Sequence, residues 1–291
     1  MRDLPGRSIL VPNPLNRPKN TRTMPRANHF CLALLFLLPA CKQNALSGTK
    51  KLTLLPESML INMANGEYQQ FLATNRVLYN PGNRDVDMVR RVGNRIIKAV
   101  ESFYAGKNMS AELKDFKWEV NLVDDGRINA WCMPGGKIVV YTGLLPVAQN
   151  EAALAVVMGH EVSHALLQHG NQRMSNALVQ QLGGVALSVA LINKPQETRD
   201  LFQLAYGVGS SVGVLLPFSR KHELEADRYG LIWAAMAGYN PQEAIGLWQR
   251  MERASGGRTP EFLNTHPSEG KRIEKLQQLM PDALQYYQPV Q

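Results

Sequence analysis

His160-Glu161-Val162-Ser163-His164 stands in the middle of a stretch whose apolar residues recur at helical spacing. Residues four apart on an α-helix lie about 40° apart around the axis and ~6 Å along it. Both imidazoles can therefore bind one metal ion. Glu161 points in a neighbouring direction, so it is read as the group that reaches metal-held water, not as a ligand. The bland alternative is a surface helix with scattered histidines. It conflicts with the flank Ala152-Ala153-Leu154-Ala155-Val156-Val157-Met158, which belongs to a buried helix. Buried His and Glu need partners. Asn150 reads as an N-cap, and the helix is predicted over 151–169 with Gly170 closing it. His169 then reads as a C-terminal residue favoured by the helix dipole.

A catalytic zinc needs a third protein ligand and an open position for water. Ser219-Arg220-Lys221-His222-Glu223-Leu224-Glu225-Ala226-Asp227 offers one. Glu223 and Asp227 are four apart and share a helix face. Glu223 is the candidate ligand, and Asp227 the candidate acceptor for a ligand histidine's N–H. Ala226 is small enough to permit close packing against the first helix. Glu225 is expected to point away, and His222 is an adjacent alternative ligand. Taken alone, the segment also reads as a charged, solvated helix face.

Outward from these two helices the period changes. Helices are predicted over 57–79 and 86–104. Phe116, Trp118, Val120 and Leu122 alternate with polar residues, which predicts a strand with one buried face. Asn129–Met133 and Lys137–Thr142 read as two strands around Pro134-Gly135-Gly136. Further helices are predicted at 172–192, 199–213, 220–238, 241–254 and 268–280, with Asn240 capping the one that Pro241 opens. The stretches 177–192 and 199–216 are apolar, but they are neither long nor pure enough to cross a bilayer. They read as core helices, or as a membrane-facing or substrate-covering element.

The chain has 291 residues, with 32 Lys+Arg against 24 Asp+Glu. Much of that basic excess lies in residues 1–40. Beyond them 26 basic and 23 acidic side chains remain, a net +3, which is too weak to argue for a nucleic-acid partner. Residues 30–38, FCLALLFLL, form a short apolar run after a basic flank, the layout of a signal peptide over 1–40. Met24 is the start that would make this leader compact. The run ends in Leu38-Pro39-Ala40-Cys41, which resembles a bacterial lipobox, with Cys41 the lipidated residue and 41–56 a tether to the membrane. A mitochondrial presequence is the competing reading of the same leader. Cys132 reads as a buried small residue, not a nucleophile.

Four ordered motifs carry a family resemblance. HExxH is followed some sixty residues later by SRxxExEAD. Asn129-Ala130-Trp131-Cys132-Met133-Pro134-Gly135-Gly136 matches a NAFxxPGG stretch, and Thr265-His266-Pro267 with Arg272 matches THPxxxxR. Over about residues 80–280 the chain resembles the zinc metallopeptidase family of CaaX prenyl proteases and HtpX-like proteases. Within it the chain is more similar to the soluble branch of LoiP, BepA and the mitochondrial Oma proteases. Trp131-Cys132 departs from the usual Phe and small residue, at positions that would bear on subsite preference. The resemblance implies an α+β, mostly helical, zincin-like domain over 57–283, with a small sheet or hairpin packed on the HExxH helix and a tail over 284–291. It implies one zinc ion per chain held by His160, His164 and Glu223, Glu161 as general base, and Asp227 behind a ligand. His266 would sit over the site as a substrate-holding or metal-capping residue. Arg272 would stabilise an oxyanion or anchor that loop. The implied function is a metalloendopeptidase acting on unfolded or misfolded proteins of the bacterial envelope, on its periplasmic side. A chaperone-like outer-membrane assembly factor with a silent site is the alternative.

Overall fold

The computed structural model describes residues 41–182, 195–206, 218–254, 260–267 and 271–289. The leader, with Met24, lies outside them, as do 183–194, 207–217 and 268–270, on which parts of three expected helices fall. Among the described residues no helix is long and apolar enough to cross a membrane.

Helix α1 (Glu57–Thr74) leads through β3 (Val77–Leu78) to α2 (Arg84–Gly106), whose first N–H groups are accepted by the Asn83 side chain. Then come β4 (Glu119–Val123), β5 (Ala130–Met133) and β6 (Lys137–Tyr141). The sheet order is β3-β4-β6-β5, with β4 parallel to β6 and the other pairs antiparallel. Side chains alternate across a strand, and here both faces are covered. Ala130, Cys132, Ile138 and Val140 join α2 and the helix at 151–166 in one core. Trp131, Met133, Val139 and Tyr141 pack on Tyr68 and Phe71 of α1 and on Met174, Leu178 and Phe202 from later helices. The single buried face expected for β4 is thus replaced by a three-layer stack. Its polar Asn121 is buried and bonds the Tyr68 hydroxyl at 2.7 Å.

A short α3 (Leu145–Ala148) precedes α4 (Glu151–Leu166), whose cap Asn150 accepts from the Ala153 N–H. The helix does not reach His169. Gln168 adopts φ 55°, in the left-handed region, and the chain turns there into α5 (His169–Leu182). Gly170 is therefore no terminator. It lies inside α5, where a Cβ would run into the Tyr206 ring. The remaining helices are α6 (Pro195–Tyr206), α7 (Arg220–Met236), α8 (Glu243–Arg253), α9 (Glu261–Thr265) and α10 (Arg272–Leu284). Asn240 accepts from the Gln242 N–H in a turn, so α8 starts later than Pro241 would suggest.

Helices α4 and α7 touch backbone to backbone. A Cβ on Gly159 would stand 2.7 Å from the Gly230 carbonyl, and one on Gly230 would stand 2.8 Å from the His160 nitrogen. Ala226 is buried, but this glycine pair sets the approach. Trp233 of α7 donates to Ser163 Oγ at 3.0 Å, which fixes the rotation of α4 against it.

The stretch read as a tether is packed onto the body. Residues Cys41–Gln43 (β1) and Lys50–Leu52 (β2) form a small antiparallel hairpin. Asn44 donates to the Leu166 carbonyl at the end of α4, and Tyr229 donates to the Leu46 carbonyl. Lys51 and Leu55 are buried.

Candidate metal centre

Five of the six histidines fall within the described residues, and all five are buried and near one another. His160 and His164 come from α4, and Glu223 comes from the first turn of α7, whose cap is Ser219. His266 follows α9 directly, and its N–H donates to the Phe262 carbonyl. Its ring lies between Phe262, at 4.5 Å and 26°, and Phe218, at 5.0 Å and 25°. Main-chain bonds carry α9 to the site. Phe262 donates to the Ile128 carbonyl beside β5, and Phe218 donates to the Thr265 carbonyl just before α7.

One donor atom from each of His160, His164, Glu223 and His266 lies within 4.8 Å of the others. His160 Nε2 is 3.0 Å from His164 Nε2 and 3.3 Å from His266 Nδ1. Glu223 Oε1 is 3.1 Å from His266 Nδ1 and 3.5 Å from His164 Nε2, and its Oε2 is 3.5 Å from His160 Nε2. Four donors held tetrahedrally at about 2.0–2.1 Å from zinc are roughly 3.3 Å apart. The observed separations scatter about that edge length.

The hydrogen bonds behind the rings give a second test. Asp227 Oδ1 lies 3.0 Å from His160 Nδ1. A carboxylate only accepts, so the proton is on Nδ1 and Nε2 offers a lone pair. His164 Nδ1 lies 2.9 Å from His169 Nδ1, and His169 Nε2 lies 3.1 Å from Glu225 Oε2. Glu225 accepts a hydrogen bond from the Nε2–H of His169, whose Nδ1 must then accept from His164. His164 Nε2 is left with a lone pair as well. Two lone pairs 3.0 Å apart in a dry site repel unless a cation lies between them. Glu161 Oε1 adds to this. It is buried on the cleft side with no hydrogen bond, and the nearest ring nitrogen, His266 Nε2, is 3.4 Å away. The residues present fit a zinc ion.

Burial opposes ionisation of Glu223, but His266, His160 and Arg272 outweigh it and hold its carboxyl down at about 2. At Glu161 desolvation dominates, only partly offset by His160 and reinforced by the Glu223 charge, and pushes its carboxyl up to about 8. Two glutamates in one site are thus driven apart, one toward a permanent anion and one toward proton exchange near neutrality. Desolvation also raises the Cys132 thiol well above its usual range, in keeping with an inert buried residue.

The cleft beside Glu161 spans about 550 Å³ of empty space, the solvent at its open mouth included. Ala130 and Cys132 of β5 line one wall, and Leu204 and Tyr206 of α6 line another. β5 is one of the two edge strands of the sheet. Tyr141 donates to the Asn129 carbonyl, so Asn129 and Tyr141 are a hydrogen-bonded pair, and the alternate residues Ala130 and Cys132 turn their main-chain groups away from β6.

Arg272 does not face this cleft. Its guanidinium bonds both Asp227 oxygens, at 3.0 and 2.7 Å, lies 3.0 Å from Glu223 Oε2, and sits 3.5 Å over the Trp248 ring. Of the two roles expected for it, an oxyanion contact or an anchor for the His266 loop, its position turned from the cleft does not suit the first; it grips two carboxylates behind the donor set. His222 stays outside that set, with Nε2 3.2 Å from Gln172 and its ring stacked 4.3 Å from His169. Sequence reading missed His169 and Glu225. His169 is five residues beyond His164, off the shared helix face, and the turn at Gln168 brings it back. Glu225 points toward His169 and Lys51, not into solvent. No local signal marks Lys51. Cys41 opens β1.

An HExxH helix packed on one face of a small mixed sheet beside its edge strand β5, and met by a second helix bearing a carboxylate, defines a zincin-like metalloprotease fold. The sequence profile of Peptidase family M48 matches residues 92–280, and the chain belongs to that family. It is 36% identical over 173 residues to the mitochondrial metalloendopeptidase OMA1 of Schizosaccharomyces pombe, covering 59% of this chain and 49% of that protein. Against the human metalloendopeptidase OMA1 it is 33% identical over 180 residues, 59% of this chain and 34% of the relative. The beta-barrel assembly-enhancing protease of Escherichia coli O157:H7 is 29% identical over 161 residues, 52% and 32% respectively. The chain thus matches about half or less of the length of these relatives.

Proposed function

We propose that the chain is a zinc metalloendopeptidase that cleaves unfolded or misfolded proteins. The observation that carries this reading is the convergence of His160, His164, Glu223 and His266, with the lone pairs of both α4 imidazoles directed at one point. Zinc bound there supplies the Lewis acidity that makes water nucleophilic near neutral pH. Glu161 accepts the proton of that water and returns it to the leaving amine, a task suited to a carboxyl raised toward neutrality. Substrate backbone pairs with the outward main-chain groups of Cys132 and with the Ala130 carbonyl, the Ala130 N–H being held by the Asn129 side chain, which demands an extended segment and little sequence. The apolar walls Leu204, Tyr206 and Phe218 keep bulk water from the scissile bond.

The finer placement rests on the leader and on the relatives. We place the protein on the periplasmic side of the bacterial envelope, anchored through lipid on Cys41, in protein quality control. Oma-like work in mitochondria is the alternative. His266 favours a second reading, since its Nδ1 stands in the fourth donor position where water would enter. In that reading the resting site is capped, and the protein serves as an assembly factor at the outer membrane.

Glu161→Gln is expected to retain zinc and lose casein cleavage by at least about 100-fold. Wild-type cleavage by that variant would remove the proposed base. His266→Ala separates the two readings: a capped site gains activity when the ring is removed, whereas a catalytic His266 loses it.

A further inference from the structure

A chain of buried polar groups runs from the metal site to the N-terminal hairpin, beyond the family match at 92–280. His164 Nδ1 meets His169 Nδ1 at 2.9 Å, His169 Nε2 meets Glu225 Oε2 at 3.1 Å, and Lys51 Nζ meets the same oxygen at 2.6 Å. His169 is fully buried and Lys51 is 5% exposed. Each link constrains the next. An ammonium only donates and a carboxylate only accepts, so Lys51 and Glu225 leave His169 no choice but to donate from Nε2. Its Nδ1 then accepts, and His164 must carry its proton on Nδ1. If Lys51 were to bond His169 Nε2 instead, the order would reverse and His164 Nε2 would be protonated. The distances decide against that: Lys51 is 3.5 Å from His169 Nε2 and 2.6 Å from Glu225.

We propose that Lys51 and Glu225 are positioning residues that fix the tautomer of His164 through His169, so that metal retention depends on the docked hairpin at 41–52. The hairpin is built for this. Besides Lys51 it contributes the Asn44 bond to the end of α4 and the Leu46 carbonyl bonded by Tyr229. Just after it, Leu54 donates to Ser175, and the Leu55 carbonyl accepts from Asn171 of α5. Charge neutralisation explains the burial of Lys51, since Glu225 is the carboxylate it pairs with. The inference rests on the metal reading above, but it concerns residues that touch neither the ion nor a substrate.

The test measures zinc affinity of the full chain by chelator competition. Lys51→Met and Glu225→Gln are compared with wild type, with Tyr229→Phe as a control that removes a hairpin bond outside the relay, and with His164→Ala as the reference for a lost ligand. Outer partners of ligand histidines are worth about 10–100-fold in affinity. That loss is expected in both relay variants, with Tyr229→Phe within about threefold of wild type. Wild-type affinity in Lys51→Met and Glu225→Gln overturns the proposal, and so does an equal loss in Tyr229→Phe, which would make docking alone responsible. If wild type takes up no zinc, the metal reading falls and the relay with it. If wild type binds zinc, His164→Ala loses it and the relay variants do not, the relay alone falls. Because buried substitutions risk unfolding, a second measurement uses unaltered protein. Nitrogen-15 imidazole spectra of the zinc-loaded chain should show His164 protonated at Nδ1 and His169 at Nε2. His169 protonated at Nδ1 overturns the proposal whatever the variants do.

Discussion

His160 and His164 are one helical turn apart and are supported in different ways. Behind His160 stands a single carboxylate, Asp227, gripped through both its oxygens by Arg272 of α10, which lies flat on Trp248. Behind His164 stand an imidazole, then a carboxylate, then an ammonium from the N-terminal hairpin. The electronic result is the same on both sides: Nδ1 keeps its hydrogen and donates it in a hydrogen bond to the support, and Nε2 is free to meet a cation. The difference lies in what each support requires. The His160 side is closed within three helices of the matched family region. The His164 side needs a turn with left-handed Gln168 and a piece of chain more than a hundred residues upstream.

This contrast can be broken from either side. The largest effect is expected from Asp227→Asn, which takes one of two carboxylates from a buried guanidinium. Removing one partner of a buried pair costs several kcal/mol, and the remaining contact to Glu223 leaves a loss of about 3 kcal/mol, measured by denaturant unfolding. Glu225 is more exposed than Asp227, 16% against 6% by side chain, so Glu225→Gln should cost less. Equal losses would show that the two supports are equally buried in effect. Gly230→Ala comes next. Its Cβ would meet the His160 backbone at 2.8 Å and part α4 from α7 under the His160 side alone. Overpacking of this kind costs about 1–3 kcal/mol, seen as a lower melting temperature and weaker zinc binding. The smallest effect belongs to Tyr229→Phe, which deletes one bond between α7 and the hairpin. A loss of about 1 kcal/mol is expected, with casein cleavage unchanged. A larger loss would mean that the hairpin folds only when that hydroxyl holds it.

Much of the metal site lies on the surface of the sequence. HExxH, Glu223 and Asp227 are legible because a helix converts a spacing of four into a shared face, whatever surrounds it. The strands Ala130–Met133 and Lys137–Tyr141 are legible through the Pro134-Gly135-Gly136 turn between them. His169 was hidden by a single residue's backbone. The apolar period continues past Leu166, and nothing in it announces that Gln168 will turn left-handed. The segment 42–56 was hidden by composition. Its Ser, Gly, Thr and Lys suit a solvated linker, and only contact with α4, α5 and α7 shows it to be packed. Arg272 followed a motif whose spacing says that it approaches the site, but not from which side.

The sequence by itself determined which helix carries the imidazoles, which carries the carboxylate, and that the two belong together, because those facts rest on local periodicity and on chemistry that few residue types can perform. Tertiary structure alone decided the direction of each proton behind the donors, the place of His266 among them, and the burial of Lys51. Hydrogen-bond direction is a property of pairs, and the partners here are brought within 3.1 Å across separations of 5 to 174 residues.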